Sequence, residues 1–174
     1  MNNFEYCMNW VFKSEGGLTD NPFDRGGVTN YGIIQDDMIE AGVKGTPKDL
    51  TNQKAKEIFK ILYWDNLFLG SVNDKDIALH ILDCAVLQGR VRAVRWVQKI
   101  LNSLDPGVVN DLKPDGIMGM NTLFKINNLR PDNKDRFIDR LVSERKAAFN
   151  LTCVLDWKQK IFITGWYNRV NLLP

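Results

Sequence analysis

The chain has one histidine, His80, and three cysteines, Cys7, Cys84 and Cys153, among its 174 residues. With so few soft ligands, and no CxxC or HxxxH spacing, no structural or catalytic metal is expected and no cofactor is implied. The cysteines are odd in number, far apart and set in apolar sequence. They read as buried thiols of a chain folded in a reducing compartment, not as a disulfide frame. His80 falls in a helical segment and reads as a partly buried or surface residue; a Cys–His or Ser–His pair built on it is the alternative.

Other absences narrow the field further. No run of roughly 18 consecutive apolar residues is present, so no membrane span is expected. The stretch Met1–Tyr6 lacks a basic start followed by an apolar core, so no secretory leader is expected, and a chain made in the cytoplasm would need a separate route to act outside it. A formal net charge of +2 is too small to argue for a nucleic-acid partner. Low-complexity tracts, linkers and repeats are missing, as are a phosphate loop, a dinucleotide fingerprint and a nucleophile elbow.

What is present is an acid in a telling place. Phe4, Met8 and Val11 recur at helical spacing, and Glu15 is next in that series, on the face that should be buried. Gly16 and Gly17 suit a left-handed helix end, which puts Glu15 in a last turn where the helix dipole disfavours a further negative charge. Burial disfavours ionisation as well, and both effects raise a carboxyl toward the range of a general acid. The plainer alternative is a surface glutamate, or one paired with Lys13 or Arg25.

The stretch from Leu18 to Ile34 is rich in glycine, asparagine, aspartate and proline and reads as loop and short hairpin. Gly26-Gly27 permits a tight turn that can carry Asp24 back toward Glu15. Asp24, Thr29, Asn30 and Tyr31 follow on this segment. A protonated acid, a second carboxylate and a hydroxyl that can position water are the components of glycoside hydrolysis. Asn30 and Tyr31, beside Thr29, are candidate substrate contacts.

Downstream the pattern is helical. Thr46-Pro47 and Thr51 are helix starts, and Ala55, Ile58, Phe59 and Leu62 form a stripe ending at Tyr63-Trp64. That pair is either core or the lining of a sugar groove, since aromatic faces stack on pyranose rings. From Asp76, the residues Ala78, Ile81, Leu82 and Ala85 mark an apolar central helix ending near Gly89. Asp83 lies off that stripe, free to cap, to pair with an arginine or to reach a cleft; Gln88 follows. A helix from about Val91 to Leu101 carries Arg92, Arg95 and Lys99 on a solvated edge. After Pro114-Asp115-Gly116, helices are expected at Met120–Asn127, from Pro131 onward with Phe137, Leu141, Arg145 and Phe149 in phase, and over Trp157–Trp166.

The string Glu15-Gly16-Gly17, then Asp24-x-Gly26-Gly27-x-Thr29-x-x-Gly32-Ile33, resembles the signature of glycoside hydrolase family 108, the phage-type N-acetylmuramidases whose bacterial members are also labelled secretion activators. The spacing of Glu15, Asp24 and Thr29 is also similar, to within one residue, to the Glu-Asp-Thr triad of phage lysozymes. Tyr63-Trp64-Asp65, Asp83-x-x-Val86, Val97-Gln98, Asp115-Gly116-Ile117-x-Gly119 and Gly165-Trp166-x-Asn168-Arg169 extend the resemblance over nearly the whole chain.

It implies a mainly α, lysozyme-like fold with a small β-hairpin or loop element near residues 18–34, a catalytic region at 1–89 and a helical peptidoglycan-binding region at 90–174. It implies cleavage of the β-1,4 bond between N-acetylmuramic acid and N-acetylglucosamine, with Glu15 as general acid, Asp24 as second carboxylate and Thr29 positioning water or substrate. Asn30, Tyr31, Tyr63, Trp64, Asp83 and Gln88 are the expected substrate contacts. The expected partner is bacterial peptidoglycan, met by a monomer acting in the periplasm or cell wall after release through a holin or another export route. Leu87 departs from the family pattern, which usually has asparagine there; the contact that asparagine would make to a substrate acetamido group is either vacant in this chain or passed to Gln88. A lytic transglycosylase and a non-catalytic wall-binding or secretion-assisting protein are the alternatives.

Overall fold

A computed structural model of the chain describes residues 2–14, 19–20, 28–104 and 111–174. The described residues are mainly helical, with one two-stranded antiparallel sheet, as the sequence pattern predicts. They fall into two compact units, Met1–Asn66 and Leu67–Pro174.

The first unit opens with α1 (Asn3–Ser14). The side chain of Asn2 accepts the amide of Glu5 at 2.9 Å and satisfies one of the helix's unpaired first-turn donors. Met8 and Val11 of the predicted stripe are fully buried, with Cys7 beside them, and Phe4 is half-buried. Strand β1 (Thr19–Asp20) pairs with β2 (Val28–Thr29), with Thr19 opposite Thr29 and Asp20 opposite Val28. Beyond β2, Asn30 and Ile33 exchange backbone bonds of 3.2 and 3.0 Å around Tyr31-Gly32. The short helix α2 (Gln35–Glu40) follows.

The two helix starts read from sequence are both used. Thr46 donates its amide to the Asp49 carboxylate at 3.0 Å across a 3-10 turn at Pro47–Asp49. The Thr51 hydroxyl accepts the Lys54 amide at 3.3 Å and opens α3 (Asn52–Phe59). Ala55, Ile58, Phe59 and Leu62 are all buried, the last three worth roughly 1.5–3 kcal/mol each when taken out of water. The helix does not simply stop at Tyr63-Trp64. It widens into a π-helical stretch, Lys60–Asp65, a geometry concentrated at functional positions.

The second unit is built on α4 (Lys75–Gln88), α5 (Arg90–Leu104), α6 (Met120–Asn127), α7 (Pro131–Leu155) and α8 (Lys160–Leu172). The Asp74 carboxylate caps α4 through the amides of Asp76 and Ile77. Lys134 of α7 ties the same corner down by ion pairs of 2.8 Å to Asp74 and 3.2 Å to Asp76. Every residue of α4 from Ile77 to Ala85 is buried, so this helix has no polar face over that span. Lying off the apolar stripe therefore does not bring Asp83 to the surface. Gly89, at φ +87°, is the single residue separating α4 from α5. Among the described residues no helix is long and apolar enough to cross a membrane.

Candidate functional site

Glu15 and Asp24 lie outside the described residues. The frame around them in sequence is described on both sides. Thr29 closes β2 and is 8% exposed. Asn30 is equally enclosed, and its side-chain amide donates to the Pro47 carbonyl at 3.0 Å, fastening the hairpin to the 3-10 turn. Tyr31 and Gly32 are the two central residues of the tight turn, with φ of 55° and 74°. Positive values at both positions suit the primed turns that join antiparallel strands, but a tyrosine there carries strain of order 1–3 kcal/mol.

The neighbouring rings hold that turn in place. Tyr31 packs against Phe12 with centroids 5.5 Å apart, Phe12 meets Phe59 at 5.6 Å, and Phe59 meets Tyr63 at 5.6 Å. This aromatic run joins four elements: the last turns of α1, the Tyr31-Gly32 turn, the end of α3 and the π-helical stretch. It brings Tyr31 and Tyr63, two of the expected substrate contacts, into one assembly through Phe12 and Phe59. Neither of those phenylalanines was singled out by spacing for this role; a phenylalanine three residues before Glu15 was the available signal.

Trp64 takes the core alternative. It is 6% exposed and meets Phe4 edge-on at 5.3 Å, which leaves no open ring face for a sugar. Tyr63 is half-buried. Lys13, one of the alternative partners of Glu15, holds its ammonium over the Trp10 ring, 5.8 Å from the centroid.

In the second unit, Asp83 takes the ion-pair alternative. Its Oδ2 receives Arg145 Nη2 at 2.5 Å and its Oδ1 receives Arg169 Nε at 2.7 Å. Burial pushes the carboxyl up, and the guanidiniums of Arg169 and Arg145 more than offset it, holding Asp83 below its ordinary value. Gln88 serves the same cluster, accepting Arg145 Nε at 3.1 Å. The Asp83 and Arg169 motifs, 86 positions apart, are thus two halves of one contact, and Arg145, fully buried in α7, is its third member. An arginine in phase with Phe137, Leu141 and Phe149 was the sequence signal for that buried pair.

His80 bonds the Pro174 carbonyl oxygen at 2.9 Å through Nε2, not a thiol or hydroxyl, and burial lowers its pKa. None of the three cysteines forms a disulfide and all are buried, and burial pushes the Cys84 thiol up to about 12. No group of three histidine, cysteine or acidic side chains able to hold a metal occurs among the described residues.

The Asp115-Gly116 turn is architectural. Gln98, 2% exposed on α5, donates to Asp115 Oδ1 at 2.9 Å and to the Ile117 carbonyl at 3.0 Å, and accepts the Gly116 amide at 3.0 Å. Gly116 has φ +85°, and a Cβ there would sit 2.6 Å from Val91 Cγ1 and 2.8 Å from the Val91 carbonyl oxygen. Only glycine fits against the start of α5.

Residues 8–89 match the glycosyl hydrolase 108 family model, and residues 92–171 match a predicted peptidoglycan domain. The first match runs through α4, beyond the first compact unit. Among solved structures, the chain is similar to SagA of Brucella abortus, at 27% identity and a TM-score of 0.72, over 98% of this chain and 94% of that one. No curated protein matches the chain.

Proposed function

The chain belongs to the glycosyl hydrolase 108 family, with a predicted peptidoglycan domain following, and from that premise we propose that it is an N-acetylmuramidase. The family and the domain together make it a peptidoglycan-acting glycosyl hydrolase. The finer reading is cleavage of the β-1,4 bond between N-acetylmuramic acid and N-acetylglucosamine.

In that reading Glu15, protonated, gives its proton to the glycosidic oxygen as the bond to C1 breaks. Positive charge develops on the sugar ring, and water supplies the new oxygen at C1. Asp24 is the second carboxylate, facing the charge or taking the proton that water loses, and Thr29 positions water or substrate. Tyr31 and Tyr63 offer ring faces to the glycan.

One observation supports this reading above the others. The Phe12–Tyr31 contact at 5.5 Å fastens the turn that follows Thr29 to the end of the helix that leads into Glu15. A strained turn held against a helix end suits a site that must keep its groups in fixed relation. Glu15→Gln tests it. The variant is expected to lose wall-lytic activity by about 10²–10⁴-fold, the usual weight of a general acid, with an unchanged circular dichroism spectrum. Turbidity of stripped bacterial cells measures it, and undiminished clearing would remove Glu15 from the reaction.

A further inference from the structure

The peptidoglycan-domain match names a polymer but no point of contact on it. Between α5 and α7 runs an open groove of about 400 Å³, within the size range of small-ligand sites. From α5 it takes Arg92 and Trp96, one helical turn apart. From α7 it takes Glu144, Ala148, Leu151 and Leu155, again at helical spacing. Leu151 and Leu155, 57% and 78% exposed, leave an apolar wall facing water.

The charges distinguish this groove from an ordinary surface cleft. Arg92 and Glu144 are both exposed, and neither has an ion-pair partner among the described residues. A neutral chain of N-acetylated sugars offers hydrogen bonds to this cation and anion but no opposite charge to either. A ligand that carries both signs along an apolar spine satisfies both ends. The stem peptide of peptidoglycan has that chemistry: alanine methyls, carboxylates and, in its diamino acid, an ammonium.

We infer that the α5–α7 groove binds the stem peptide, with Arg92 taking a carboxylate, Glu144 the ammonium, and Trp96, Leu151 and Leu155 the methyl-bearing spine. This rests on the reading of the chain as a peptidoglycan-acting protein, and it adds a contact with the peptide, separate from the glycan cleavage assigned to Glu15. Two charge-assisted contacts on exposed side chains can be removed without touching the core, so the variants should fold.

The test titrates the full chain with a sugar-free tripeptide, L-Ala-γ-D-Glu-meso-diaminopimelate, followed by calorimetry. Saturable binding is expected. It should weaken by roughly tenfold to a hundredfold in Arg92→Glu and in Glu144→Arg, the range of one charge-assisted hydrogen bond, and persist in Glu15→Gln. Wild-type chain that fails to bind the peptide, or binding indifferent to both substitutions, overturns the inference. So does sedimentation as a dimer that Arg92→Glu dissociates, because a second copy would then fill the groove. Wall lysis assayed on the same samples keeps the two readings apart: lysis without peptide binding defeats the groove alone, and peptide binding without lysis defeats the muramidase alone.

Discussion

Asp83 is one carboxylate between two guanidiniums, and the three groups join α4, α7 and α8. Both partners are needed because a single buried carboxylate on an otherwise apolar helix would be too costly to leave charged. Asp83→Asn keeps the shape and removes the charge, leaving Arg145 and Arg169 without their counter-ion. It should destabilise the fold by about 3–5 kcal/mol at neutral pH, the cost of breaking a buried pair from one side. The pH dependence has a definite sign. The folded carboxyl sits below its ordinary value of 3.8, so its stabilisation is fully present above that value and is lost as pH falls through the lower, folded one. Urea unfolding at a series of pH values should therefore show the gap between wild type and Asp83→Asn narrowing below about pH 4. A variant within about 1 kcal/mol of wild type at pH 7 would show the cluster to be no better than an exposed pair.

Among the elements, the turn before α6 makes the sharpest demand on its sequence. Gly116 must adopt a positive φ and also pass within a Cβ's reach of the Val91 backbone, while Gln98 gathers three backbone and side-chain groups of the turn. Gly116→Ala should lower stability by about 2 kcal/mol or more, combining left-handed strain with overpacking, and a thermal melt reads it directly. An unchanged melting temperature would mean that α5 can move aside at no cost. The helices themselves were legible because their apolar spacing and caps agree: Thr51 and Pro131 sit where the pattern places a start, and α4 begins at Lys75, one residue before the Asp76 read from the pattern. The π-helical widening at Lys60–Asp65 was not, since nothing in a stripe of Ala55, Ile58, Phe59 and Leu62 distinguishes a turn of helix that gains a residue from one that does not. Nor was the positive φ of Tyr31, because a tyrosine is among the last residues expected to take it.

At the scale of the whole molecule, two units carry two kinds of information. In the first, the residues read as chemistry stand beside residues read as packing: Asn30 is held by Pro47 and Tyr31 by Phe12, and neither Pro47 nor Phe12 was read as part of the site. In the second, motifs read as substrate contacts turned out to hold the unit together, Asp83 with Arg169 and Gln88 with Arg145. A motif marks a constrained residue, and a buried ion pair constrains two side chains as tightly as a ligand does. Pairing across 86 positions has no local signature, which is why Asp83 could be placed on its helix from sequence but not joined to its partner. Arg92 and Arg95 of α5, by contrast, are solvated as their spacing predicts, and Arg92 also lines the groove against α7.

The central claim is that this chain cuts the glycan strand by adding water across the muramic acid linkage. Mass spectrometry of the muropeptides released from purified peptidoglycan tests it most directly. The account predicts products ending in reducing N-acetylmuramic acid, each heavier by one water than the corresponding anhydro form, and none from Glu15→Gln. Products ending in anhydro-muramic acid would show that no water is activated and would make the protein a lytic transglycosylase.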